Sequence, residues 1–190
     1  MSPARTASDG RAVRCYVFAR ASGTDAGHAW LLGLLPGTGT GPTAGLPGEH
    51  VPDGTDPAAA ALHAVSRLTG TTASRVTPPV SPLERPWTAG TVRPTVPPWW
   101  VRASEDGPYG TEYEYVLTVP GAPPAGLRWL TPAAARARAH PQDENLRLAA
   151  ALGGVMEELV GGRITPAVIR AMTVGHSRRG LGGPRTAPEW

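Results

Sequence analysis

Residues 46–70 read LPGEHVPDGTDPAAAALHAVSRLTG, and the fold turns on this stretch. Asp56-Pro57 is a strong helix start. An aspartate side chain accepts from the free N–H groups of a first turn, and proline suits the first helical position, where an N–H has no partner anyway. The residues that follow place Ala58, Ala61, Leu62, Val65 and Leu68 along one apolar stripe. Gly70 is a natural C-terminal stop. The spacing therefore predicts a helix from Pro57 to Thr69 with one buried side. His63 and Arg67 lie four apart, so they share a face of that helix. Ahead of it, Ala44 to Gly48 leads into an irregular stretch ending at Thr55, with Asp53-Gly54 as a turn.

Working outward, Val13, Cys15, Val17 and Ala19 alternate with Arg14, Tyr16, Phe18 and Arg20, the two-residue period of a strand. His28 to Leu35 is a short apolar run and reads as a second, buried strand. Gly and Thr crowd the loop from Pro36 to Thr43. Beyond the helix, residues 75–98 hold seven prolines and read as an extended excursion with at most short strands. Strands are expected at Trp99–Val101, Tyr113–Val119 and Leu127–Leu130. Thr131-Pro132 opens a short helix to Ala139. A longer amphipathic helix is expected from Asp143 to Val160, weakened by Gly153-Gly154, and a last one from Thr165-Pro166 to Met172. This order predicts an α/β (α+β) fold with a mixed β-sheet. It divides into a leader (1–11), a main domain (12–152), a C-terminal helical extension (153–174) and a disordered tail (175–190).

Composition narrows the function classes. The 190 residues suit one domain, 41% are hydrophobic, and only 17% are charged. All 18 basic residues are arginine, scattered along the chain, and a net charge of +3 lacks the dense basic block that holds a phosphate backbone, so nucleic acid is not an expected partner. The single Cys15 allows no intrachain disulfide and suits a reducing cytoplasm. The polar N-terminus has no signal-peptide core, and no run approaches a membrane span. There is no nucleophile elbow, P-loop, dinucleotide glycine pattern or zinc-ligand spacing.

The 46–70 stretch resembles the signature region of Nudix hydrolases, which join a Leu-Pro-Gly-Gly loop to a helix ending in Gly under the pattern G-x5-E-x7-R-E-U-x-E-E-x-G-U, U being a bulky aliphatic residue. Later segments resemble the family too: YGTEYEYVLTV (109–119) its following strand, LRWLTPAAARA (127–137) its late strand-to-helix turn, and DENLRLAAAL (143–152) its closing helix. The resemblance spans residues 12–152 and implies a Nudix-like α/β/α sandwich. Setting the motif's late Gly on Gly70 puts its opening Gly on Glu49 and its first Glu on Thr55. The Arg-Glu pair falls on His63 and Ala64, and the metal-binding Glu-Glu pair on Arg67 and Leu68. Val65 keeps the aliphatic position, while the final U becomes Thr71.

Magnesium needs several oxygen ligands, usually carboxylates with substrate phosphate oxygens, and a guanidinium repels it. The resemblance therefore implies a scaffold without its metal-binding acids, so no metal and no cofactor are expected. Instead, His63 and Arg67 can hold a phosphate or carboxylate directly, or form a plain solvated stripe. Glu49, His50, Asp53 and Asp56 could alternatively gather a displaced metal. Glu112 and Glu114 share one side of their strand and are candidates for acid–base work, against an exposed polar face. One of Trp99 and Trp100 is expected in the core and the other beside Tyr113 in an aromatic cleft, with Tyr109 and Tyr115 near it. Three functional readings follow. The first is a non-hydrolysing binder of a small, phosphorylated or nucleotide-like ligand through Glu49, His63, Arg67, Trp99, Trp100 and Tyr113. The second is a metal-independent biosynthetic enzyme using Glu112, Glu114 and His63. The third is an interaction or homodimerisation module built on residues 153–190.

Overall fold

A strand that alternates apolar residues on both of its faces must be covered on both sides, and β1 (Arg11–Arg20) is such a strand. Around it, in a computed structural model that describes residues 10–21, 29–36, 45–79, 94–103, 110–139, 143–169 and 171, lies a seven-stranded sheet whose other strands are β2 (Trp30–Leu34), β3 (Gly48–Val51), β4 (Ser74–Val76), β5 (Trp100–Ala103), β6 (Thr111–Val119) and β7 (Arg128–Leu130). Five strands follow the order β4-β6-β1-β2-β7, with β3 also paired to β1 and β5 also paired to β6. β1 and β6 run parallel at the centre, and every other pairing is antiparallel, so the sheet is mixed. Residues 1–9 of the expected leader (1–11), His28, the loop 37–44, most of the proline-rich excursion (80–93), Tyr109, Met172 and the tail lie outside the described residues.

Helix α1 (Pro57–Thr69) starts and stops where the sequence predicts. Asp56 caps it, accepting from Ala58 N at 3.0 Å, and Gly70 closes it at φ 66°. Its aliphatic stripe packs Ala58, Ala61 and Val65 against Val13, Cys15, Val17, Tyr115 and Leu117 on one sheet face. The opposite face holds Tyr16, Phe18, Trp30, Leu32 and Val116 against α2 (Pro132–Arg138), α3 (Glu144–Gly153) and α4 (Met156–Val160). The expected α/β/α sandwich with a mixed sheet is therefore present.

Two local expectations change. β3 occupies part of the stretch read as irregular, because its register with β1 supplies the order: Val13 pairs with Glu49 and Arg14 with Gly48. The helix expected over 143–160 is two helices. Val155, at φ −130° and ψ 22°, leaves the helical region between α3 and α4. Gly153 sits so close to α2 that a Cβ there would lie 2.6 Å from Pro132 Cγ.

α4 and Ile169 join the same core as α3, with Met156 and Leu159 each 1% exposed. Burying two such side chains stabilises by about 1.5–3 kcal/mol each. A polar latch adds to this: Trp30 Nε1 donates to Glu157 Oε1 at 2.8 Å, and Arg20 stacks over the Trp30 ring at 4.9 Å while pairing with Glu157 at 3.2 Å. Glu157 is half exposed, so water screens the pair. We expect Glu157→Ala to cost about 1 kcal/mol, measured by urea unfolding under tryptophan fluorescence; a loss well above that would show that the latch, rather than apolar burial, holds α4. Among the described residues no helix is long and apolar enough to cross a membrane.

Candidate functional site

Side chains alternate along β3, so Glu49 faces α1 while His50 faces the other way. From that position Glu49 reaches both polar residues of the helix: His63 Nδ1 lies 3.0 Å from its Oε1, and Arg67 Nη2 lies 3.6 Å from its Oε2. The paired face expected on α1 is real, and the residue standing where the family motif opens with Gly supplies its counter-charge. His63 and Arg67 are largely exposed, and Glu49 is mostly buried.

The four groups weighed as a displaced metal site are dispersed. Asp56 caps α1 and also accepts from Thr95 N and Oγ1. Asp53 is fully exposed, 3.7 Å from Arg11. Glu49 is engaged by His63 and Arg67, and His50 is on the opposite sheet face. A divalent ion does not fit these donors: α1 carries no carboxylate, and among the described residues no three His, Cys, Asp or Glu side chains are placed to hold one.

Across the sheet from α1, register builds a second polar cluster. Glu114 pairs with Arg14 on β1 and with Trp100 on β5, and Glu112 pairs with Arg102. Glu112 and Glu114 do share a face, as their spacing requires, but their surroundings differ. Arg14 Nη2 meets Glu112 Oε1 at 2.8 Å, both mostly buried. Glu114 is fully buried, a correction to the exposed face weighed from sequence. The Tyr16 hydroxyl donates to its Oε2 at 3.1 Å, and Arg102 Nε touches its Oε1 as an ion contact rather than an aligned hydrogen bond. Burial raises the Glu114 pKa above the ordinary carboxylate value, with the Arg102 and Arg14 guanidiniums and the Tyr16 hydroxyl pulling it partly back. Burial, with Glu114 beside it, pushes the Tyr16 hydroxyl well up as well, so it remains a donor.

The aromatic cleft is not formed by the residues proposed for it. Trp99 and Trp100 are 0% and 3% exposed, and both belong to the core under α2–α4. Trp99 precedes β5 rather than lying in it, so strand alternation does not separate the pair, and their rings sit 5.9 Å apart. Tyr113 is buried on the α1 side of the sheet, and Tyr115 likewise, its hydroxyl donating to Val96 O at 3.3 Å. Burial raises the Cys15 thiol far above its usual value, which leaves it an inert core residue.

An opening lies at β3. Here β3 pairs with the start of β1 and β2 with its end, and Pro47 O accepts from Cys15 N at 2.7 Å between them. A cleft of about 210 Å³ lies along this junction, lined by Ala12, Val13, Arg14, Leu46, Pro47, Gly48, Glu49 and Glu112. Of the residues singled out by sequence, only Glu49 and Glu112 line it. Arg14, Arg102 and Tyr16 were missed. The one available signal was Arg14 itself, a charge inside an otherwise apolar strand, which requires a counter-charge nearby.

Neither a protein-family model nor a curated protein matches the chain. Among solved structures, the chain is similar to a hydrolase of the NUDIX family from Clostridium perfringens, with a TM-score of 0.52 and 12% identity over 78% of this chain and 98% of that one. It is also matched to RenU, a Nudix hydrolase from M. smegmatis, with a TM-score of 0.36 and 15% identity over 90% of this chain and 91% of that one. The helix-on-sheet-on-helix layering, its mixed sheet and the Clostridium match together give this chain the Nudix hydrolase fold.

Proposed function

We propose that this Nudix-fold chain does not hydrolyse diphosphates with a bound divalent metal, and that it binds a small molecule beside β1 instead. One observation carries the reading. The helix that aligns with the catalytic helix of Nudix hydrolases presents Arg67 and Leu68 where the metal-binding glutamates would stand, with His63 one turn earlier, and Glu49 engages both His63 and Arg67. A cation brought there meets a guanidinium and a single carboxylate that already has partners. The acid–base alternative is less well supported, because Glu114 is sealed from any reacting atom in the core.

The test uses the full chain with ADP-ribose and ADP as probes, magnesium or manganese in excess, and product separation by chromatography. The expected result is no cleavage above the protein-free rate. Separately, calorimetric titration with manganese chloride is expected to give no saturable binding. Metal-dependent cleavage that disappears with EDTA would overturn the proposal.

A further inference from the structure

We infer that the cleft at Gly48 recognises a small zwitterion of free amino-acid size, carrying one ammonium and one carboxylate. The inference rests on the non-hydrolytic binding reading and narrows its ligand. Size is the first consideration. Clefts that enclose drug-sized molecules measure about 300–1,000 Å³, and this one measures about 210 Å³. A whole nucleotide is too large for it, so the nucleotide-like ligand expected from the family resemblance is set aside. A volume of that size equals roughly seven waters at about 30 Å³ each, enough for a compact molecule of amino-acid dimensions.

Charge is the second consideration. One carboxylate, Glu112, and one guanidinium, Arg14, line the cleft side by side, each more than three-quarters buried, while the Glu49 carboxylate lies on the other face of the sheet with His63 and Arg67. A phosphate would face Glu112 as a like charge directly beside Arg14. A purely cationic ligand would leave Arg14 opposed. A molecule bearing both signs answers both: its ammonium donates to carboxylate oxygens, and its carboxylate accepts from Arg14, whose planar fork carries more donors than the single contact to Glu112 uses. Leu46, Pro47 and Ala12 add apolar wall, which suits a short aliphatic side chain. Because Arg14 and Glu112 already hold each other at 2.8 Å, the charged groups are pre-positioned and little side-chain entropy is lost on binding.

The experiment is calorimetric titration of the full chain with the free L-α-amino acids, EDTA present. The best binder is then compared with its N-acetyl and methyl ester forms, with ADP and with inorganic phosphate. A free amino acid should bind, and capping either end should weaken it by about tenfold or more, the loss expected when a buried charge is left unpaired. Glu112→Gln should weaken it similarly. Arg14→Gln, which removes the partner of the ligand's carboxylate, provides a second variant should Glu112→Gln fail to fold. Equal binding of capped and free forms, or no binding by any free amino acid at millimolar concentration, overturns the zwitterion inference. If ADP binds uncleaved in that case, the broader reading of a non-hydrolytic binder still stands; if ADP is cleaved with metal, that reading falls too.

Discussion

Glu114→Ala should cost this chain roughly 3 kcal/mol, one of the two largest losses expected from a single substitution here. Removing one partner of a buried ion pair typically costs about 3–5 kcal/mol. The low end applies because Arg102 is 32% exposed and can turn to water, whereas Tyr16 cannot. The substitution leaves the buried Tyr16 hydroxyl without its acceptor and empties space beside Trp100, whose ring meets that of Tyr16 edge-on at 5.9 Å. Glu114→Gln keeps an acceptor for Tyr16 and removes a charge that burial disfavours, so at neutral pH it should stay within about 1 kcal/mol of the parent.

The two glutamate variants also separate by pH. The folded chain holds the Glu114 proton more tightly than the unfolded chain, whose carboxyl titrates near the ordinary value of about 4.3. Between those two values the native state binds more protons, so this group's contribution to stability is fully present below about 4.3. It declines as pH rises through the folded value and then levels off. Urea unfolding across that range should show the parent losing ground to Glu114→Gln as pH increases. An unchanging difference would mean that Arg102 and Arg14 cancel burial, and one of opposite slope that they outweigh it and the carboxylate is a stabilising anion.

The elements legible in the sequence were those whose causes are local. Asp56-Pro57 and Gly70 bound α1 because caps act within a turn of the helix, and the aliphatic stripe between them needs only a flat apolar partner. β3 was illegible for the opposite reason. GEHV has no alternation that distinguishes it from loop, and it becomes a strand through pairing with residues 11–14, far along the chain. Glu114 misled similarly. Within TEYEY it looks like the polar side of a half-exposed strand, and only β5, which brings Arg102 and Trp100, together with α2–α4 above, turns that side into core.

The candidate site divides along the same line. His63 and Arg67 were placed on one face by helical spacing alone, yet the residue that engages them is fourteen positions from the first and eighteen from the second, and reaches them only through the register of β3 on β1. Glu49 lies against α1 and engages both polar residues of a helix that itself carries no carboxylate. The cleft beside it needed three separate segments to be assembled before it had walls at all, which is why no motif could announce it.

Gly48→Ala should be as damaging as the loss of Glu114, and it links fold to site. A Cβ at Gly48 would stand 2.3 Å from Val13 O. That oxygen belongs to the backbone of the central strand, held on both sides by β3 and β6, so β3 is the part that must move. Moving it breaks the Arg14–Gly48 register, strains the Cys15 N to Pro47 O bond and withdraws Glu49 from His63 and Arg67. Two or three orphaned backbone and charged partners together amount to about 3 kcal/mol, or a melting temperature roughly 6–12 °C lower for a chain of this length. Gly54→Ala is the informative control. Gly54 has φ 76° but nothing within 4 Å, so its cost is the left-handed backbone alone, about 1–2 kcal/mol. If Gly48→Ala melts no lower than Gly54→Ala, β3 yields without consequence and the cleft walls are not fixed by that contact. If instead Gly48→Ala is the worse of the two and, studied cold enough to remain folded, no longer takes up the amino acid that the parent binds, then the close approach of β3 to β1 both stabilises this sheet and shapes the space beside it.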